Sequence, residues 1–103
     1  MKYSLNNRLS PRQTELLAFL GKDYCRNVID GEPVIYRDFG LYDVEISGGH
    51  RKNQPVSIYV WKKAGGMAIV ERHTELPQNH EQIKALLDDI TSRYTNREDT
   101  YHE

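Results

Sequence analysis

Residues 41–62 read LYDVEISGGHRKNQPVSIYVWK. Tyr42, Val44 and Ile46 alternate with Asp43 and Glu45, and Val56, Ile58 and Val60 alternate with Ser57, Tyr59 and Trp61. A period of two is that of a half-buried strand. Between the runs lie Gly48, Gly49, Asn53 and Pro55, residues of a polar loop. Two strands joined this way form an antiparallel pair with one dry face. The other face then receives Asp43, Glu45, Ser57, Tyr59 and Trp61. Two large aromatics on a face that should be wet need a cover or a partner.

Toward the C-terminus, KKAGG turns the chain into MAIVERH, residues 67–73, a further strand. Toward the N-terminus, Val34–Tyr36 reads as a short extended piece ahead of a turn near Asp38–Gly40. The strands predict an antiparallel meander of three or four members.

Each end of the chain has a helical period. Ser10-Pro11 is a helix start, with Ser able to cap free amides and Pro suited to the first position. Leu16, Leu17, Leu20, Tyr24 and Val28 follow at three- and four-residue steps, with Phe19 and Cys25 beside them. This spacing predicts a helix over Pro11–Ile29, stopped by DGEP. Gly21 inside it costs on the order of 1 kcal/mol against Ala. Asn79 followed by Gln82 predicts a capping box, and Ile83, Leu87, Ile90 and Tyr94 predict a helix over Asn79–Tyr94. Each helix has one apolar stripe and needs one surface, which the face carrying Val44, Ile46, Val56, Ile58 and Val60 supplies. The expectation is an α+β two-layer sandwich, with the N- and C-terminal helices on one face of the sheet. Residues 1–95 make a single domain, and 96–103, poor in apolar residues, make a disordered tail.

The chain has 103 residues, 38% of them hydrophobic, which suits one domain with one modest core. Its 15 acids and 14 bases leave a net charge of −1, neither the surplus of cations that binds nucleic acid through its backbone nor the opposite surplus of a mimic. From Ile46 to Val70 there are four bases and no acid, and from Glu71 onward eight acids against four bases. That division predicts a mildly basic sheet region and an acidic C-terminal part, suited to charge-assisted docking. The lone Cys25 excludes an internal disulfide and Cys-rich zinc sites, and the absence of an apolar run at the start points to a cytoplasmic protein.

Candidate chemistry is sparse. Gly48-Gly49-His50-Arg51-Lys52 is a poor phosphate cradle, because it joins two strands instead of leading into a helix N-terminus. Glu71, His73 and His80 could surround zinc, but their spacing matches no metal signature, as is also true of His50 and His102, and no metal or other cofactor is expected. Cys25, on the apolar side of a helix, reads as packing, and Asp88-Asp89 as a solvated face. No nucleophile has a base beside it in motif terms, so no catalytic residue is assigned. Tyr59 and Trp61 instead have the character of binding hot spots, with Arg51, Lys52, Lys62 and Lys63 as a basic rim. The ordinary alternative is that Met67, Ile69 or the N-terminal arm shelters them.

The segments IDGEPVIY, YDVEISGGH and IYVW, within about a third of the chain, resemble small proteins carried on conjugative elements and prophages of gut Firmicutes, a group with no assigned activity. The resemblance implies a genetic context in which single-domain binders modify host or element machinery, CRISPR effectors included. It transfers no functional residue. The expectation is therefore a non-enzymatic module that docks on and modulates a protein complex through Tyr59 and Trp61. The alternative is an accessory protein that stacks single-stranded nucleic acid on the same two rings.

Overall fold

The computed structural model describes the backbone of residues 8–101 and the side chains of residues 8–95. The elements follow in the order α1 (Pro11–Leu20), β1 (Cys25–Ile29), β2 (Glu32–Asp38), β3 (Tyr42–Gly48), β4 (Val56–Lys62), β5 (Ala68–Leu76) and α2 (His80–Tyr101). The five strands pair only with their neighbours in sequence, in antiparallel sense, as one open meander.

The capping signal at Ser10 holds in full and the box expected at Asn79 only in its first half, since Asn79 N donates to Pro77 O. Ser10 Oγ accepts from Gln13 N, and Gln13 Oε1 accepts from Ser10 N at 2.8 Å, a reciprocal box. Asn79 Oδ1 accepts from Gln82 N at 3.0 Å at the start of α2. Gln13 is buried, and its Nε2 also donates to Gly48 O at 3.1 Å, so the cap of α1 is tied to the end of β3.

The first helix is shorter than its sequence period predicts. It ends at Leu20, and residues 25–29 form β1, the fifth strand of the sheet. Two local causes outweigh the apolar spacing. Gly21 takes φ 100°, outside the helical region, and its N–H closes the last turn onto Leu17 O. Asp30 and Gly31 take φ 53° and 78° between the paired Ile29 and Glu32. Two left-handed residues between antiparallel strands make a hairpin turn of the kind that Asp-Gly favours. DG here is a turn between strands, not the stop of a helix. Tyr24 still reaches the core from the connecting loop, whereas Val28 is 38% exposed and Cys25 is exposed on the edge strand. At the other end α2 runs on to Tyr101, through most of the segment expected as a tail; residues 102 and 103 lie outside the described residues.

Both helices lie on one face of the sheet. Leu16 and Leu20 of α1 and Ile83, Leu87, Ile90 and Tyr94 of α2 share one core with Ile35, Val44, Ile46, Val56, Ile58 and Val60. Register explains the continuity: Val44 stands opposite Val60, and Ile46 lies between Ile35 and Ile58. Each fully buried aliphatic side chain contributes about 1.5–3 kcal/mol. Arg93 clamps α2 to β5 with two bonds to the Glu71 carboxylate at 2.7 Å, and the Tyr94 hydroxyl donates to Glu71 Oε1 at 2.7 Å. Among the described residues no helix is long and apolar enough to cross a membrane.

Candidate functional site

The face opposite α1 and α2 is concave. It encloses a groove of about 760 Å³, reached by residues of all five strands or the turns between them. Its hollow follows from β5, whose register with β4 slips between Val56 and Ile58 and again between Val60 and Trp61. Glu75, at the first slip, has φ 59°. Bulges of this kind bend a strand and increase its twist. The second slip leaves Val70 unpaired and brings Ile69, instead, opposite Trp61.

Tyr59 and Trp61 both line this groove, and both are half-buried. Two of the covers expected for them are in place, since Ile69 faces Trp61 and Met67 lines the same hollow, while the N-terminal arm of residues 1–7 lies outside the described residues. A polar partner matters as much: Trp61 Nε1 donates to Glu45 Oε1 at 3.0 Å. Asp43 stands directly across from Trp61, and Glu45 across from Tyr59 on one side and Tyr36 on the other. The Tyr36 hydroxyl donates to Asp43 Oδ2 at 2.6 Å. The floor is thus two buried carboxylates set among three aromatic rings.

Burial raises the Glu45 pKa above the ordinary carboxylate value; the Trp61 hydrogen bond opposes the shift, and the charges of Glu32, Asp30 and Asp43 add to it. The Tyr36 hydroxyl is pushed well above its usual value, first by burial and then by its bond to Asp43, so it stays a donor. Among the described residues, Asp30, Glu32, Asp43 and Glu45 line the groove against one base, Arg72. The mildly basic sheet expected from the sequence is acidic on this face, because Asp30 and Glu32 come from the hairpin that sequence period assigned to a helix and its stop.

The four basic candidates do not gather round the aromatics. Arg51 and Lys52 lie in the β3–β4 loop, where Gln78 donates to Arg51 O and to Gln54 O. Lys62 and Lys63 lie at the other end of β4, about 20 Å away at the rise of a strand. Lys63 bonds Asp38 Oδ1 at 2.7 Å and thereby lowers the Asp38 pKa.

Of the three residues considered for zinc, Glu71 and His73 meet at 2.7 Å, while His80 lies against Phe19 in a tilted pair with ring centroids 5.4 Å apart. Both oxygens of Glu71 already serve Arg93. Among the described residues no three potential ligands converge. What sequence reading missed is the pair Asp43 and Glu45. Their alternation with Val44 was visible, yet a carboxylate on an open face reads as solvated until the bend of β5 and the added β1–β2 hairpin enclose it.

No family model, curated protein or solved structure matches this chain.

Proposed function

We propose that the chain is a non-enzymatic protein-binding module that docks a partner on the open face of its sheet. The observation that carries this reading is the groove itself, a concave hollow with Tyr59 and Trp61 half-buried in its wall. Aromatic side chains dominate binding hot spots, and these two stand on strands, not on loops. The hydrogen bond from Trp61 to Glu45 holds the indole in place, which reduces the side-chain entropy lost on binding. Arg51, Lys52, Lys62 and Lys63, at the two ends of β4, orient the partner. The resemblance to proteins of mobile elements makes a host or element complex the partner class, a CRISPR effector among them. An exposed Cys25 thiol suits the reducing cytoplasm.

The acidic lining supports a protein over the nucleic-acid alternative, since Asp30, Glu32, Asp43 and Glu45 would repel phosphates. The test is capture of the partner by immobilised wild-type protein and by Trp61→Ala. Loss of at least about 2 kcal/mol of binding is expected, and undiminished capture by the variant would remove the docking face. Quenching of Trp61 fluorescence by single-stranded oligonucleotides, weakening steeply with salt, would promote nucleic acid instead.

A further inference from the structure

Asp43 is 3% exposed, and its Oδ1 has no hydrogen-bond partner among the described residues. Its Oδ2 is engaged by Tyr36. Buried polar atoms are nearly always satisfied, so an idle carboxylate oxygen in the wall of a groove is a position where an incoming donor gains more than it would at the surface. Two residues along β3 on the same face, roughly 7 Å away by strand rise, Glu45 accepts from Trp61 through Oε1. Tyr36, Tyr59 and Trp61 are the cross-strand neighbours of this pair. Aromatic faces around paired carboxylates are the setting that attracts an organic cation.

We infer that this cup receives a primary alkylammonium, the side chain of a lysine presented by the docked partner. The inference rests on the docking reading above and names what that surface recognises. Lysine fits better than arginine for a geometric reason. A guanidinium fork wants both oxygens of one carboxylate, and Tyr36 already engages one oxygen of Asp43, as Trp61 does of Glu45. A compact ammonium needs only single oxygens, and its methylene stem lies along the rings. Asp30 and Glu32 draw the cation in from the β1–β2 side, and Arg72 repels it from the β5 side. Trp61 stands directly across from Asp43, so its indole reports an ammonium arriving at Oδ1.

The chain contains one Trp, so its indole N–H gives one resonance to follow. Nα-acetyl-lysine methylamide, titrated to high millimolar concentration, is expected to shift it saturably. The norleucine and arginine counterparts should bind at least about tenfold more weakly. Asp43→Asn, checked for folding by circular dichroism, should weaken the lysine probe by a similar factor, with Glu45→Gln as the second variant should the first fail to fold. Equal binding of the norleucine probe, no shift at all, or unchanged affinity in a folded variant overturns the inference. So does a lysine response seen only after removal of residues 1–7, which would make the chain's own N-terminal residues the occupant. Partner capture that Trp61→Ala abolishes and Asp43→Asn leaves intact rejects the lysine and keeps the docking face. Capture unaffected by either variant rejects both.

Discussion

Trp61 is held from two directions, by Ile69 across the β4–β5 pair and by Glu45 through its indole N–H. It is half-buried, between the free hot spot and the sheltered core aromatic that sequence reasoning contrasted. Trp61→Ala should therefore cost about 1–2 kcal/mol of folding stability, the loss of partial packing plus one donor to a buried carboxylate. A thermal melt checks this, and a loss of about 3–5 kcal/mol would mark the ring as core. Glu71 offers a second test through pH. Hydrogen bonds from Arg93, then from His73 and Tyr94, lower its pKa from the ordinary 4.5 to about 2 against the effect of burial. A carboxylate depressed by folding stabilises fully above its unfolded pKa, and that contribution is lost as pH falls from about 4.5 toward 2. With the Arg93 side chain 41% exposed, the contribution is discounted to about 2 kcal/mol. Glu71→Gln should lose that much at neutral pH and converge on wild type in acid, as read by denaturant melts across pH. Glu45 has the opposite sign: burial raises its pKa, so its unfavourable contribution grows as pH rises above the ordinary carboxylate value. Glu45→Gln should leave neutral-pH stability unchanged or higher.

At the junction of α1 and β1, the two readings of Gly21 predict opposite signs. Inside a continuous helix, replacing it with Ala would gain about 1 kcal/mol. At φ 100° and ψ −174° it occupies backbone space nearly reserved for glycine, although nothing lies within 4 Å of an added Cβ. Gly21→Ala should therefore destabilise by about 1–3 kcal/mol, through backbone strain alone. A chemical denaturation midpoint that moves upward would restore the long helix. The spacing of Leu16, Leu20, Tyr24 and Val28 was legible and misleading for one reason: Tyr24 does enter the core, from a loop, and mimics the next turn of a helix. The stronger local signal was Asp30-Gly31, which closes a two-residue hairpin.

Across the molecule one core joins both helices to a single face of the sheet, and Trp61 lies on the opposite face. Unfolding should then be one transition, with helical circular dichroism and Trp61 fluorescence melting together, and Leu87→Ala should shift both equally at a cost of about 2–5 kcal/mol. Separate midpoints would contradict a shared core. The alternation in residues 42–46 and 56–61, the caps at Ser10 and Asn79 and the stripe of α2 were readable in the chain, because each depends on neighbours a few positions away. So was the placement of Tyr59 and Trp61 opposite the helices. The fifth strand, the bend of β5 and the enclosure of Asp43 and Glu45 were not. The fifth strand depends on a hairpin turn outweighing a helical period, the bend of β5 on two slips in its register with β4, and the burial of a charge on the shape the whole sheet then takes. Local spacing thus established the layers and the aromatic face, while the pairing of all five strands, with its slips along β5, turned that face into an acidic groove.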